Sequence, residues 1–252
     1  MAFLKTDEIY VGHSDKPEYL PLRWGNRHGL IAGATGTGKT ITLQVLAEGF
    51  SDAGVPVFMA DVKGDLSGMC SPSEKQDFLV KRAEDIGFAA EYKASAYPVT
   101  FWDVFAEQGH AVRTTISEMG PLLLSHILEL NDVQEGVLNV AFRMADEEGI
   151  LLLDLKDLRA FLNEMNERRD EISAKYGNVS TQSVGTIQRN LLRLEEQGAD
   201  QFFGEPALQL SDLMKTDMDG RGVINILAAD KLMQSPRLYA TFLLWLLAEL
   251  FE

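Results

Sequence analysis

The chain has 252 residues, 46% of them apolar and 24% charged, a balance that supports one large or two small globular domains with a sizeable core and excludes a disordered polymer. Its 23 lysines and arginines against 38 aspartates and glutamates give a net charge of −15. That excludes a surface that grips nucleic acid throughout, since phosphate binding rests on clustered cations, and leaves only a local basic patch open. The single cysteine, Cys70, can form neither an internal disulfide nor a thiolate metal site, and fits reducing, intracellular surroundings.

The first residues, MAFLKTDEIYVGHSDKPEYL, lack the basic start, apolar stretch and small-residue cleavage site of a secretory leader. From Arg27 to about Asp65 the chain reads strand, glycine-rich loop, helix, strand. HGLIAG is short and apolar, ITLQVLAEGFSDAG has helical spacing ending at Gly54, and VPVFMAD is an apolar strand. Such a βαβ unit implies a parallel sheet with helices on its faces.

VTFWDV (Val99 to Val104) and GVINILAA (Gly222 to Ala229) are two further strands of the same kind. Between them PLLLSHILEL, VQEGVLNVAFRMADEEG, DLKDLRAFLNEMNERRDEISAKYG and VGTIQRNLLRLEEQG have helical patterns. Each is closed by Asn131 or by a glycine, Gly149, Gly177 or Gly198, and Pro121 sits in a first helical turn. An apolar helix from about Pro236 to Glu252 ends the sequence. Its apolar run, Leu238 to Ala248, is well short of the ~18 residues of a membrane span, so a cytoplasmic location without a membrane partner is expected. Phe242, Leu243, Leu246, Leu247 and Leu250, with Trp245 and Phe251, form a face that wants covering, by the chain's own sheet or by another segment.

The segment Gly33-Ala34-Thr35-Gly36-Thr37-Gly38-Lys39-Thr40 matches G-x-x-x-x-G-K-[ST] at every fixed position, between an apolar strand and a helix. A polyphosphate needs several donors converging on its oxygens, and a backbone free of Cβ atoms at Gly33, Gly36 and Gly38 wraps closely enough to supply them. The helix beginning near Lys39 adds its positive end, Lys39 reaches the β and γ phosphates, and the Thr40 hydroxyl is placed to ligate Mg²⁺. Ile41 contributes its backbone N–H. No Asn-Lys-x-Asp guanine-reading pattern occurs, which favours ATP as the nucleoside triphosphate. The expected organisation is therefore α/β: a P-loop NTPase core beginning in residues 1–114, a mostly helical inserted subdomain over 115–200, and a return to the core over 201–252.

Hydrolysis also needs a carboxylate that holds Mg²⁺ through water, usually on an apolar strand ending in Asp-Glu. Two strands end in Asp, VFMAD at Asp61 and ILAAD at Asp230, but Val62 and Lys231 follow them. Asp61-Val-Lys-Gly-Asp65 leaves the carboxyl end of a strand, the edge where open α/β sheets bind ligands. Asp61 is a candidate Mg²⁺ ligand and Lys63 or Asp65 a nucleotide sensor; the alternative is a solvated loop. Arg113, Arg143, Arg189 and Arg193 are either a finger to a neighbouring γ-phosphate or solvated helix residues. His28 and His110 lack the spacing of a zinc site. NERRDEISAKYG reads as an exposed helix, and Phe202 and Phe203 as core.

NRHGLIAGATGTGKT (Asn26 to Thr40) followed by GVPVFMADVKGDLSG (Gly54 to Gly68) resembles the HerA-like, FtsK-related P-loop ATPases, most closely the bacterial YjgR-type family. WGNRHGL, FWDVFAEQGHAVRTTISEMGPLLL, FFGEPAL and GRGVINILAADKL extend that resemblance over essentially the whole chain. The resemblance implies a RecA-like core, hexameric rings and DNA as the polymer moved, the last without support from the charge. It also implies an Asp-Glu strand, a polar sensor and arginines after a helix like LLWLLAELFE, so the chain is expected to be the front portion of a longer, motor-like ATPase, itself poorly active. The alternatives are a nucleotide-responsive scaffold without significant hydrolysis and a small-molecule kinase.

Overall fold

In a computed structural model, which describes residues 6–74 and 77–251, β1 (Glu8–His13) and β2 (Pro17–Pro21) pair antiparallel, with a bulge between Tyr10 and Gly12. Two units divide the chain, Met1–Phe101 with Ser211–Ala229 and Trp102–Leu210 with Asp230–Glu252.

In the first unit the hairpin lies on helix α1 (Lys39–Asp52). Ile9 sets that contact: a Cβ on Gly49 would stand 2.3 Å from its Cγ2, so the close approach requires glycine. β3 (Val57–Asp61) pairs parallel with β6 (Ile224–Ala228), in register from Val57 opposite Ile224 to Asp61 opposite Ala228. β4 (Val99–Asp103) lies on the other side of β6, and its last two residues pair with the short β5 (His110–Ala111) in the second unit, giving the parallel order β3-β6-β4-β5. β6 is the most apolar strand and the most buried, as a strand flanked on both sides must be. Ile224 and Ile226 meet Ala47, Leu66 and Met69 in the core, with Val57, Met59, Tyr97, Val99 and Phe101 around them. A short helix, α2 (Asp77–Asp85), follows the loop after β3.

One expected strand is absent. HGLIAG carries no strand, Leu30 is 90% exposed, and among the described residues nothing pairs with the free edge of β3. Only three apolar residues stand between Gly29 and Gly33, too few side chains to bury to offset the cost of fixing two glycines in a strand.

The second unit is helical: α3 (Ile116–Ile127), α4 (Asp132–Glu148), α5 (Leu155–Glu167), α6 (Arg169–Tyr176), α7 (Thr181–Glu195) and α8 (Ala199–Phe202); α9 (Leu210–Leu213) lies at its boundary and α10 (Pro236–Phe251) closes it. Thr115 with Glu118, Asn131 with Gln134 and Asp154 with Asp157 form reciprocal N-caps. α3 is two helical segments: Gly120, at φ 72°, breaks it and Pro121 opens the second. DLKDLRAFLNEMNERRDEISAKYG forms two helices, separated at Arg168, whose guanidinium is held by Glu148 and Glu164.

Leu158, Phe161, Leu162 and Met165 of α5 face Val184, Ile187, Leu191 and Leu194 of α7 at helical spacing. Phe202 contacts Phe203, Phe242 and Trp245 at ring-centroid distances of 5.1, 6.0 and 5.6 Å, as expected for a core position. α10 buries Leu238, Phe242, Trp245 and Leu246 and exposes Leu244, Leu247, Leu250 and Phe251; Glu252 lies outside the described residues. No described helix is long and apolar enough to cross a membrane.

The last turns of α1 carry an unfavourable charge pattern. Glu48 and Asp52 stand one turn apart near a helix C-terminus, where the backbone dipole is already negative. Burial, with the Asp52 charge second, pushes the Glu48 carboxyl up to about 7; Asp52 is raised by burial too, opposed by the Tyr97 hydroxyl that donates to it at 3.2 Å and by Arg221. An unfolded Glu48 ionises near 4.5. Above that value the unfolded chain loses its proton while the native one keeps it, so stability falls as pH rises through about 7, by on the order of 3 kcal/mol in full. Glu48→Gln is therefore expected to flatten the decline in thermal midpoint between about pH 5 and about pH 8. An unchanged pH profile would exclude this origin.

Candidate functional site

The loop Gly33–Ile41 is fixed by its own backbone. Gly36 and Gly38 take φ values of 80° and 92°, the left-handed region, and a Cβ at either would meet nothing within 4 Å. The space beside them is thus open, while at Gly33 a Cβ would fall 2.5 Å from Thr37 Oγ1. The Ala34 carbonyl gathers three donors: Thr37 N–H at 3.4 Å, Thr37 Oγ1 at 2.8 Å and Lys39 Nζ at 2.7 Å. Lys39 is thereby folded back over the loop, with two of its three donors still free to reach an anion.

Gly38 turns the chain into α1, and its carbonyl accepts the Thr42 N–H at 3.0 Å. Among the described residues nothing accepts from the N–H groups of Lys39, Thr40 or Ile41, the first-turn donors that no helix can satisfy internally. The Thr40 hydroxyl has no partner there either. Loop residues Ala34, Thr35 and Thr37 are exposed, so the donors open onto solvent. A loop with open space at Gly36 and Gly38, three unpartnered N–H groups, the dipole end of a 14-residue helix and a primary ammonium together fit a polyphosphate.

The second candidate, Asp61, is 5% exposed and shapes its own loop. Its Oδ1 accepts from the N–H groups of Lys63 at 3.1 Å and Gly64 at 2.8 Å, and its Oδ2 from Leu66 at 3.0 Å. Gln44, which the sequence reading did not single out, ties that loop to α1 by donating from Nε2 to the Asp65 carbonyl at 3.1 Å. Its signal was present: Gln44 follows Thr40 by four residues, one turn along the same helix face. Lys63 and Asp65 are exposed on the loop that this bond anchors.

No group of three or more His, Cys, Asp or Glu that would hold a metal occurs among the described residues. A divalent ion at this site would have one or two protein oxygens, Thr40 first, and take the rest from phosphate and water, the ligand habit of Mg²⁺. Among the described residues, three of the four candidate finger arginines are engaged within the chain. Arg113 donates to the Glu205 carbonyl at 2.9 Å, Arg143 pairs with Glu147, Arg189 donates to Thr186, and Arg193 is exposed on α7. His110 rests on Trp102, with ring centroids 5.8 Å apart, and His28 is exposed before the loop.

No curated protein matches the chain. The family model described as helicase HerA-like C-terminal matches residues 6–252, nearly its whole length. The chain belongs to the helicase HerA-like C-terminal family, whose members are ATPase- and helicase-like motors.

Proposed function

We propose that this chain binds Mg·ATP on Gly33–Ile41 and that hydrolysis drives movement along, or remodelling of, a polymer. The observation that carries the proposal is the pair of left-handed glycines before a helix whose first three N–H groups have no acceptor among the described residues. In this reading the N–H groups of Gly36 and of residues 38 to 41 wrap the phosphates and Lys39 leaves the Ala34 carbonyl for the β and γ oxygens. The Thr40 hydroxyl would hold Mg²⁺, which would supply positive charge beside the phosphates. A carboxylate has about four acceptor positions, and three backbone N–H groups use three of those on Asp61, leaving one for a metal-bound water. Asp61 therefore acts first by holding Lys63 and Gly64 in place.

DNA as the polymer and a hexameric ring are proposed on family membership alone; a charge of −15 confines any DNA contact to a restricted set of cations.

Lys39→Ala is expected to weaken MgADP binding by roughly ten- to a hundredfold, the worth of a charge-assisted hydrogen bond, with the fold intact because that side chain bonds only one carbonyl. Titration calorimetry reads this directly, and equal affinities would sink the proposal. Asp61→Ala strands three N–H groups and is expected to cost roughly 2 kcal/mol in urea denaturation; a loss below about 0.5 kcal/mol would show that solvent replaces the carboxylate freely.

A further inference from the structure

The phosphate loop grips one end of a nucleotide and leaves its base without a seat. A turn braced on the same helix offers one. Trp24 is 47% exposed, whereas Trp102 and Trp245 are 8% and 2% exposed. The guanidinium carbons of Arg23 and Arg27 lie 5.4 and 5.8 Å from its ring centroid. Neither arginine forms an ion pair among the described residues, in a chain with 38 carboxylates to offer. An exposed indole with two uncommitted guanidinium groups over it presents a π-face beside hydrogen-bond donors, the chemistry that receives a nucleobase.

The turn is held in place. Leu22–Trp24 is a single 3₁₀ turn, with Gly25 N–H donating to the Leu22 carbonyl at 2.9 Å and Arg27 N–H to the Trp24 carbonyl at 3.1 Å. Gly25 sits directly on α1, where a Cβ would be 2.8 Å from Phe50 Cε1. Phe50 follows Lys39 by eleven residues, on the order of 16 Å along the helix axis, and a helical aromatic side chain leans back toward the N-terminus, which shortens the span. That distance is on the scale of an extended nucleoside triphosphate. The loop and the turn thus both stand on α1, about three helical turns apart.

We infer that the Trp24 indole, with Arg23 and Arg27 over it, seats the base of a purine nucleotide whose phosphates occupy Gly33–Ile41, an inference that rests on the nucleotide reading of that loop. Stacking reads the face of a base rather than its edge. Adenine and guanine nucleotides are therefore both accepted, and pyrimidines, with less surface to stack, bind more weakly.

The test compares MgADP with magnesium pyrophosphate, which has phosphates and no base, on the full chain and on Trp24→Ala. MgADP is expected to quench the one strongly exposed tryptophan and pyrophosphate to leave it bright. Trp24→Ala is expected to weaken MgADP roughly tenfold while leaving pyrophosphate affinity unchanged, and Trp24→Phe to restore most of the loss. Equal MgADP affinity in Trp24→Ala overturns the base seat and leaves the phosphate site standing. A loss shared equally by pyrophosphate also overturns it, since Trp24 would then act through the loop. If the parent chain binds neither ligand, the nucleotide reading itself fails and the base seat with it.

Discussion

A helix cannot satisfy its own first N–H groups, and at α1 the fold keeps them unsatisfied. Gly38, at φ 92°, turns the chain so that Lys39, Thr40 and Ile41 start the helix with N–H groups that no described residue accepts. Other contacts keep that helix from moving. Ile9 presses on Gly49, Gln44 bonds the Asp65 carbonyl, and the buried Ser51 hydroxyl donates to the Gly222 carbonyl at 2.6 Å, just before β6. Donors fixed in this way need no rearrangement when an anion arrives, so the ordering cost is met by folding rather than by binding.

The parts legible in the sequence are those whose signal is local. The phosphate loop, the apolar strands ending at Asp61 and Ala228, and the helices opened by Asn131 and Asp154 each carry their own periodicity, glycine or cap. The expected strand at HGLIAG failed because pairing is not local: the sequence supplies an apolar stretch, but whether the free edge of β3 takes it is decided by tertiary energetics. The break at Arg168 was invisible for a related reason. No glycine or proline marks it, and the guanidinium there is held by Glu148, twenty residues earlier in the chain, as well as by Glu164.

At the site, the residue types were legible and their commitments were not. Asp61 read as a carboxylate at the carboxyl end of a strand, which it is, yet its loop uses three of its acceptor positions. Lys39 read as a phosphate ligand, and in the structure its ammonium rests on the Ala34 carbonyl. A short polar side chain beside a turn, as Asp61 is, tends to bond the nearest backbone groups, and this competition is resolved only in three dimensions.

Net charge sharpens the physical problem that the loop solves. A chain of −15 repels a polyanionic ligand at long range, but salt screens that repulsion beyond about 8 Å at physiological ionic strength. Capture must therefore come from groups that act at contact distance. Backbone N–H groups are such donors: they are neutral, do not pair with the surrounding carboxylates, and keep their direction because the helix holds them. If the proposed nucleotide site is right, a loop built mainly from amides, with one ammonium parked on a carbonyl rather than on a carboxylate, would let an acidic protein hold phosphates without setting a large basic surface against its own charge.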